Sequence, residues 1–482
     1  MQNQNNKNAF YITTTLPYVN SDPHIGFALE IVQADIIARY KRLMGYDVFF
    51  NTGTDEHGLK IHRKAEEAGI DTQTYVDGYA EKFRGLKDKL GLSELNFIRT
   101  TDVHHKAAAQ DFWKICDKNG YITKKSYSVK YCVGCELEKT DSELVDDKCP
   151  IHPNLQIELI EEENYFFKFS AFKEKLEQHY KDNPEFVVPD FRFNEIKAFI
   201  SRGLEDFSIS RLKSKMPWGV PVPGDDSQVM YVWFDALVNY ISAIGWPTNL
   251  DKFNTYWPVV QFAGKDNLRQ QSAMWQAMLM AADLPPSKQI VIHGFITSGG
   301  QKMSKSLGNV INPYDIVEEY GIEPLRYYLA RHIHPFEDSD FTMDKFKTAF
   351  NADLANGLGN LTSRILKMTI TNEVALTDDD LKTTVFGDGS PIEFYEHYQI
   401  NKALEAIWKQ ISDLDGYIQT EQPFKKVKVD LEAGKKDIHH LLFSLYKIAQ
   451  QLEPVLPTTG AAIQALIKER KMPEQPLFMR KD

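Results

Sequence analysis

The sequence predicts an α/β protein in which a parallel sheet is split by an insertion and followed by an all-α bundle. Three observations support this fold class. A strand–loop–helix–strand pattern occupies 10–50, strand and helix patterns return between about 229 and 295, and helical periodicity continues from about 345 onward. A chain of 482 residues is long enough for about two to four domains.

The N-terminal pattern begins with FYITTTLPY at 10–18, which predicts a strand. Apolar residues at helical spacing then predict a helix over 27–44, and VFF at 48–50 predicts a second strand that ends in a polar loop at 52–58. Ligands of parallel α/β sheets bind at the carboxyl ends of the strands. We therefore expect the loops that follow these two strands to belong to a binding site.

The second half of the sheet follows an inserted stretch at 121–170 that is rich in Tyr and punctuated by Gly and Cys. Strands are predicted for MYVWF, PVVQFAG and QIVIHGF, with a helix over 267–282. Beyond 345 the periodicity predicts a bundle whose helices cover 349–368, 396–419, 437–452 and 459–470.

Composition limits the class of protein. The net charge is −11, with 43% hydrophobic and 26% charged residues, which is typical of a soluble globular protein. An acidic chain is not a generic nucleic-acid-binding protein, although a local basic strip can still bind RNA phosphates. No apolar run approaches the ~20 residues of a membrane span, and MQNQNNKNAF does not resemble a targeting peptide, so we expect a cytoplasmic protein.

Three of the four cysteines form a pattern with a histidine. Cys132 and Cys135 are separated by two residues, and so are Cys149 and His152 after a further thirteen. Two such pairs predict a closed tetrahedral zinc site, the alternative being unrelated buried cysteines. Cys116 falls on an apolar helix face and is predicted to lie in the core.

Two short motifs can contact phosphates. Lysines and hydroxyls alternate in KMSKS at 302–306, after the flexible pair Gly299-Gly300, and lysine serves phosphate oxygens as a point charge. PHIGF at 23–27 lies at the start of the first helix, where a helix N-terminus favours anions. Alone, KMSKS is equally consistent with a phosphate site and with a solvated surface loop. The HxG pattern alone is a weak signal, and its alternative is a capped turn with a surface histidine. Their joint occurrence on the two halves of a split sheet favours a nucleotide site.

The pair resembles the HIGH and KMSKS motifs of class I aminoacyl-tRNA synthetases. The surrounding residues resemble methionyl-tRNA synthetases across essentially the whole chain. The segments that carry the resemblance are TTTLPYVNSDPHIGF (13–27), NTGTDEHG (51–58), YVWFDALVNY (231–240), GKDN (264–267), KMSKSLGN (302–309) and NADLANGLGNLTSR (351–364).

The resemblance implies a Rossmann-like catalytic domain split by a zinc-knuckle insertion and followed by an all-α anticodon-binding helix bundle. The expected boundaries are 1–117 and 229–322 for the two catalytic halves, 118–228 for the insertion, 323–345 for a linking segment and 346–482 for the bundle. The implied function is a methionine–tRNA ligase that uses ATP, Mg²⁺ and Zn²⁺, with L-methionine and tRNA(Met) as partners. A monomer is expected.

The resemblance also implies roles for individual residues. His24, Lys302, Lys305 and Asp55 are the expected catalytic residues. ATP is expected to contact Pro23, His24, Gly26, Phe27, Lys302, Ser304, Lys305 and Ser306. Methionine is expected to contact Leu16, Tyr18, Asp55, Trp233, Ala236, Tyr240, Asp266, Asn267 and Gln271, with Arg211 orienting Asp55. Asn360, Arg364 and Phe424, beside Lys425, Lys426 and Lys428, are the expected anticodon contacts. For any single charged or aromatic residue, a surface ion pair or a core position is the alternative.

Several positions depart from the family pattern. Phe27 replaces the second histidine of HIGH, and Gln271 stands where a histidine near the methionine sulfur is usual. Leu237, Asn267 and Gln276 also replace usual residues, the last a proline. Two alternatives therefore stay open. The chain could be another class I synthetase, although its length leaves no room for an editing insertion, or a non-catalytic tRNA-binding relative.

Overall fold

The computed structural model describes residues 8–135, 137–139, 141–303, 309–385 and 391–481. The chain forms two compact units. Unit 1 comprises Met1–Pro23, Val48–Gly85 and Glu94–Ile292, and unit 2 comprises His24–Asp47, Leu86–Ser93 and His293–Asp482. This division rests on contacts within the chain, and the domain boundaries expected from the sequence stay a prediction.

The described part of the chain alternates between strands and helices up to β16 and is helical beyond it. The strands, in chain order, are β1 Ala9–Thr13, β2 Asp47–Thr54, β3 Asn96–Arg99, β4 Ile122–Cys132, β5 Leu137–Lys139, β6 Glu158–Phe167, β7 Val187–Val188, β8 Phe207–Ser208, β9 Ser210–Leu212, β10 Pro221–Val222, β11 Asp225–Met230, β12 Val260–Gly264, β13 Gln289–His293, β14 Ile296–Ser298, β15 Gln301–Lys302 and β16 Ser339–Phe341. The α-helices are α1 Ile25–Leu43, α2 Leu59–Ala68, α3 Thr72–Arg84, α4 Leu86–Lys89, α5 Val103–Lys118, α6 Lys173–Asp182, α7 Asp190–Ser201, α8 Val232–Ala236, α9 Asn239–Ser242, α10 Leu250–Tyr256, α11 Trp275–Ala281, α12 Pro313–Tyr320, α13 Ile322–Arg331, α14 Met343–Ala349, α15 Asn360–Thr371, α16 Asp378–Lys382, α17 Ile400–Glu421, α18 Pro423–Lys426, α19 Leu431–Leu452 and α20 Pro457–Glu469.

Unit 1 is built around a six-stranded sheet in the order β3-β2-β1-β12-β13-β7. The pairs β1/β12, β2/β3 and β7/β13 are parallel. Every residue of β12 is buried, as expected for a parallel strand with both faces covered. The predicted split parallel sheet is therefore confirmed. The strand predicted at 10–18 ends earlier, at Thr13, and its continuation contacts the neighbouring chain segment through a bridge between Tyr18 and Asp55.

The strand predicted for MYVWF is wrong. β11 ends at Met230, and Val232–Ala236 forms the short helix α8, for which Tyr231 is the N-cap residue. A short apolar run has the same pattern in a buried strand and in a buried helical turn, so periodicity cannot separate them. In this chain the buried side chain of Phe234 packs edge-on against Phe112 and Trp113 of α5, which anchors the turn in the core.

The inserted region carries two small sheets. β4 and β6 pair antiparallel over a long register from Ile122↔Phe167 to Tyr131↔Glu158, within a four-stranded sheet ordered β5-β4-β6-β8. A second sheet has the order β10-β11-β9. β7 lies in sequence within this region but pairs with β13, so it extends the central sheet by one edge strand. Cys116 is fully buried on α5, which confirms its predicted core position.

Unit 2 contains α1, a three-stranded sheet ordered β15-β14-β16, and the C-terminal helices. The helical bundle predicted from the sequence is confirmed. Its first segment is continuous but changes pitch, with a π-helical stretch Phe350–Gly359 between α14 and α15. Within the part of the chain that the structure describes, no helix combines the length and the apolar character needed to cross a bilayer.

A buried ion pair holds α1 to α13 within unit 2. Arg326 and Asp35 are fully buried, and an Nη2–Oδ2 distance of 2.7 Å joins them. Arg326 also donates to the carbonyls of Leu90, Pro454 and Val455. Burial alone would raise the pKa of Asp35, but the nearby guanidinium groups and hydrogen bonds from Ser93 lower it overall. The pair thus stays charged, and its remaining hydrogen-bonding groups are satisfied.

Candidate functional site

Asp55 is fixed by backbone contacts at the end of β2. Its N–H donates to the carbonyl of Pro17 at 2.9 Å, and its carbonyl accepts from the N–H of Val19 at 3.2 Å. Asp55 is 6% exposed, whereas the neighbouring Tyr18 is half-buried. These contacts place a carboxylate beside an aromatic side chain at the carboxyl end of a parallel strand, where ligands of such sheets bind.

Glu56, the next residue, holds the loop after β2 through its side chain and its backbone carbonyl. Its fully buried carboxylate accepts two hydrogen bonds from Arg99, at 2.6 and 2.8 Å, and one from Thr54 at 2.6 Å. Its carbonyl accepts from the indole N–H of Trp218 at 2.6 Å. A bidentate pair of this kind restricts both partners, so the loop that carries Asp55 is held rigidly.

Asp235, in α8, is a buried carboxylate between two histidines. Its Oδ2 lies 2.5 Å from Nδ1 of His57, and its Oδ1 lies 2.8 Å from Nε2 of His105. The other nitrogen of His105 lies 3.0 Å from the hydroxyl of Ser242. Burial raises the pKa of Asp235, but the two histidines outweigh it and lower the pKa to about 2. The cluster joins the 52–58 loop, α5 and α8.

Three residues expected to contact methionine, Trp233, Ala236 and Tyr240, lie in and after α8. Ala236 and Tyr240 are buried, and Trp233 is half-buried. The hydroxyl of Tyr11, in β1, donates to the carbonyl of Tyr240 at 2.9 Å. Gln271 is 1% exposed and its amide donates to the hydroxyl of Tyr240 at 2.7 Å. The structure thus brings two of these residues into direct contact, and Leu16 is half-buried after β1.

The other polar residues expected to contact methionine are placed as follows. Arg211 is buried in β9, donates to the hydroxyl of Ser208 and to the carbonyl of Ser210, and lies over the ring of Tyr231. Its orienting role toward Asp55 stays a prediction. Asp266 is exposed in the turn Lys265–Asn267 and accepts a hydrogen bond from the Asn267 amide at 3.2 Å.

In unit 2, His24 caps α1. Its Nδ1 accepts from the N–H of Gly26 at 3.1 Å, so in the neutral ring the hydrogen is on Nε2. Burial lowers the pKa of His24, which favours this neutral form. A Cβ on Gly26 would lie 2.8 Å from His24 Cε1, so a larger residue there would displace the ring that caps the helix. The ring of Phe27 packs against His24 with centroids 5.1 Å apart.

The second phosphate motif is described only in part. Lys302 ends β15, which pairs with β14, and Gly299 and Gly300 form the tight turn between them with φ of 61° and 75°. The N–H of Gly300 donates to Asp340 at 2.7 Å, which fixes this turn. Ser304, Lys305 and Ser306 lie outside the described residues, and Pro23, which precedes His24, is buried.

The predicted metal ligands come together. The ligand atoms of Cys132, Cys135, Cys149 and His152 all lie within 4.8 Å of one another. Sγ of Cys135 lies 3.4 Å from Sγ of Cys149 and 3.2 Å from Nδ1 of His152. A tetrahedral zinc ion at ~2.3 Å from sulfur needs ligand separations of about 3.5–3.8 Å. The measured distances of 3.2, 3.4 and 3.9 Å scatter around these values, so one ion could bring the four ligand atoms to tetrahedral positions with small shifts.

A glycine beside the metal ligands shows how closely the chain approaches them. A Cβ on Gly134 would lie 2.5 Å from the ring of His152. Glycine is thus needed at this position for the backbone to pass the histidine. Cys116, the remaining cysteine, is buried in α5 away from the cluster in the sequence and is not one of its ligands.

The expected anticodon residues lie in the bundle. Asn360 and Arg364 occupy the first turns of α15, and Arg364 forms an ion pair with Asp415 of α17. Phe424, in α18, is 44% exposed, which leaves its ring able to stack on a ligand. The neighbouring Lys426 binds Glu421 and Asp437, and these hydrogen bonds raise its pKa.

Sequence reasoning missed several residues that support the candidate methionine site. They are Glu56, His57, Arg99, His105, Asp235, Gln261 and Ser287, each a polar residue at a buried or partly buried position. Glu56 and His57 could have been singled out because they lie in the TDEHG loop, and Asp235 because it lies in the segment YVWFDALVNY. The others have no local pattern, since their partners are distant in the sequence.

Comparisons with known proteins agree with these features. The family described as tRNA synthetases class I (M) matches residues 10–158 and 138–366. The methionine–tRNA ligase of Thermotoga maritima is 40% identical over 97% of this chain and 76% of its own length. That of Rickettsia typhi is 38% identical over 94% of this chain and 92% of its own length.

Solved structures give the same result. Mycobacterium tuberculosis methionyl-tRNA synthetase in complex with methionyl-adenylate has a TM-score of 0.89 and 36% identity, covering 97% of this chain and 95% of that one. Its free form has a TM-score of 0.83 and 31% identity, covering 98% of each chain.

The lowered pKa of Asp235 predicts how the free energy of unfolding depends on pH. Since its folded pKa of about 2 lies below the unfolded value of 3.8, its charge stabilises the fold above about pH 4, and that contribution is lost as the pH falls through about 2. Asp235→Asn should lower the free energy of unfolding by about 2 kcal/mol near pH 5, and the difference should shrink toward pH 2. Denaturant unfolding at several pH values measures it.

The matched control is Asp226→Asn, which changes an exposed aspartate on the neighbouring strand β11. It should match the native protein at each pH. A deficit for Asp235→Asn that stays constant from pH 5 to pH 2 would show that the carboxylate charge contributes nothing.

Proposed function

Because this chain belongs to the methionyl-tRNA synthetase family of class I tRNA synthetases, we propose that its described site residues bind and activate L-methionine for transfer to tRNA(Met). The observation that carries the residue assignment is the rigid loop that fixes Asp55 beside Tyr18 at the end of β2. An aspartate held there supplies the carboxylate that the ammonium group of an amino acid requires.

Activation is an in-line displacement. A carboxylate oxygen of methionine attacks the α-phosphorus of ATP, the bond to the bridging oxygen breaks, and pyrophosphate leaves with its electron pair. The protein contributes mainly by positioning the reactants and stabilising charge. Methionine contacts Leu16, Tyr18, Trp233, Ala236, Tyr240 and Gln271, with Asp266 and Asn267 beside the reacting groups and Arg211 orienting Asp55.

Phosphate contacts come from residues of unit 2. His24 donates from Nε2, because its Nδ1 is occupied by the N–H of Gly26. Gly26 and Phe27 lie at the N-terminus of α1, whose dipole favours phosphate oxygens. Lys302, Ser304, Lys305 and Ser306 bind the leaving pyrophosphate, and Pro23 precedes the motif. Mg²⁺ neutralises phosphate charge when it is bound with ATP.

The cysteine cluster holds a structural zinc ion. Three thiolates and one imidazole form a closed set of four ligands, which leaves no position for substrate. Such an ion supplies folding energy to the end of β4, which carries Cys132, and to the loops that carry the other three ligands. The expected readers of the anticodon are Asn360, Arg364 and the exposed ring of Phe424, because unstacked bases are recognised by stacking and edge hydrogen bonds. A monomer in the cytoplasm stays a prediction.

Methionine-dependent exchange of pyrophosphate into ATP tests the proposed activity. We expect the native protein to catalyse it and Lys305→Ala to lower kcat far more than it raises KM for methionine, since the charge on pyrophosphate develops in the transition state. Lys181→Ala, a surface lysine in α6, is the matched control and should behave as the native protein. An unchanged kcat in Lys305→Ala would remove the proposed role.

Zinc content tests the cluster. Metal analysis should give one zinc per chain, and Cys149→Ser should lose it. Hydrogen exchange should then increase at the Cys132 end of β4 and in its partner β6, because one ligand ends β4. The helices α17 and α19 should keep their protection. Cys116→Ser is the control and should retain the metal, since this cysteine is buried outside the cluster. Zinc retained at full occupancy by Cys149→Ser would contradict the assignment.

Phe27→His tests the altered HIGH motif. Restoring a donor could recover a hydrogen bond to phosphate, which is worth roughly 1.5–3 kcal/mol or about 10–100-fold in rate. We expect a smaller effect or a loss, because Phe27 packs on His24 and its replacement disturbs that ring. Phe27→Leu controls for loss of the aromatic contact. An exchange rate raised by about tenfold or more in Phe27→His would show that the native site lacks this donor.

A further inference from the structure

The turn that precedes Lys302 has little support of its own. Its hairpin, β14 and β15, has two paired positions among the described residues, of which Thr297↔Lys302 is the outer one. Gly299 and Gly300 form the turn with φ of 61° and 75°, where glycine is favoured but loses much conformational freedom. A Cβ on either glycine would meet no other described part of the chain within 4 Å. Packing therefore does not fix this turn, and so short a hairpin is at most marginally stable by itself.

Asp340, in β16, supplies the support that the turn lacks. β16 pairs parallel with β14, and Asp340 lies in register opposite Thr297. Its Oδ1 accepts from the N–H of Gly300 at 2.7 Å and from the hydroxyl of Thr297 at 3.1 Å. One carboxylate oxygen thus connects the turn before Lys302 both to β14 and to a third strand.

The strand that carries Asp340 is itself fixed to the chain leading into β14. The N–H of Ser339 donates to the carbonyl of Phe295 at 3.0 Å. The N–H of Phe295 donates to the side chain of Asp338 at 2.9 Å. Asp340 therefore acts from a strand with its own backbone contacts, and its hydrogen bond with Gly300 extends that restraint to the far end of the hairpin.

A lysine also contacts the carboxylate of Asp340. Nζ of Lys345, in α14, lies 3.0 Å from Oδ2, but the lysine side chain is 58% exposed. Exposed ion pairs contribute little, whereas a backbone N–H bound to an ionised carboxylate is a strong hydrogen bond. The contacts of Asp340 lower its pKa, and the hydrogen bond from the N–H of Gly300 is the largest cause. We therefore expect the contact with Gly300 to outweigh the ion pair.

We propose that Asp340 is a positioning residue for methionine activation, which fixes the turn at Gly299 and Gly300 and so determines where the backbone of Lys302 enters the phosphate motif. The carboxylate acts through this turn and needs no contact with ATP or methionine. A lysine that neutralises charge on pyrophosphate must be in place as the transition state forms, and small displacements of such groups are costly. The proposal rests on the proposed function and deepens it.

Loss of this contact should affect the rate of activation more than the binding of methionine. The charge on pyrophosphate develops in the transition state, and the proposed methionine contacts belong to unit 1 and not to this sheet. Asp340→Ala should lower kcat for pyrophosphate exchange by about three- to tenfold, as expected for one lost hydrogen bond. It should change KM for methionine by less than about twofold.

Three further variants separate the hydrogen bond from the charge. Asp340→Asn keeps an acceptor oxygen for the N–H of Gly300 and removes the charge, so it should restore kcat to within about twofold of the native value. Lys345→Ala removes the ion pair alone and should retain the native kcat. Asp344→Ala removes an exposed carboxylate from the first turn of α14, and as the matched control it should also behave as the native protein.

Hydrogen exchange measures the turn directly and does not depend on activity. The amides of 299–302 should exchange faster in Asp340→Ala than in the native protein, because the acceptor for the N–H of Gly300 is gone. They should exchange at the native rate in Lys345→Ala. Protection of α13 should be the same in all variants, which would show that the fold of unit 2 is intact.

The outcomes distinguish this proposal from the proposed function. A native protein with no methionine-dependent exchange of pyrophosphate would overturn both. Native activity with an unchanged kcat in Asp340→Ala, or with unchanged hydrogen exchange at 299–302, would overturn the positioning role alone. A kcat as low in Asp340→Asn as in Asp340→Ala would also overturn it, because the charge and not the hydrogen bond would then be what matters. So would a loss of protection in α13 of Asp340→Ala, which would give this residue a general structural role.

Discussion

The buried carboxylate of Asp235 is the constraint on which the candidate methionine site of unit 1 depends. A negative charge with no exposure to water must be compensated, and His57 and His105 provide the hydrogen bonds that do so. This requirement ties α8 to α5 and to the loop after β2. Asp55 is two residues from His57, and Trp233 is two residues from Asp235. The elements that carry Asp55 and Trp233, the proposed methionine contacts, are thus fixed to one another through a single side chain.

Features that have a local sequence pattern could be predicted from the sequence alone. Apolar runs predicted the parallel strands, because both faces of such strands are buried, and the spacing of Cys132, Cys135, Cys149 and His152 predicted a cluster that the structure assembles. The strand predicted for MYVWF was wrong, because a short buried helix and a short buried strand have the same composition. The hydrogen-bond partners of Asp235 and Gln271 could not be predicted, because hydrogen bonds between distant segments produce no periodic pattern in the sequence.

The departures from the family pattern are better explained in groups than one at a time. Gln271 in place of a histidine and Gln276 in place of a proline each introduce polar groups into a dry core, and either alone would be costly. Together with Gln261 and Ser287 they satisfy one another. A proline at 276 would remove the amide that contacts the backbone of Gln271 and of Ser287. The two substitutions therefore depend on each other, which argues for a rearranged pocket and against a damaged one.

The altered motif at the start of α1 follows the same reasoning. His24 uses Nδ1 to cap its own helix through Gly26, so its ring is held in one orientation with the hydrogen on Nε2. The contact with Phe27 restricts that ring further, at a centroid distance of 5.1 Å. A second histidine would add a donor, but it would replace the ring that packs against the first. If His24 donates to phosphate as proposed, its fixed ring would offset the hydrogen bond that a second histidine supplies, since a preorganised donor costs no reorganisation in the transition state.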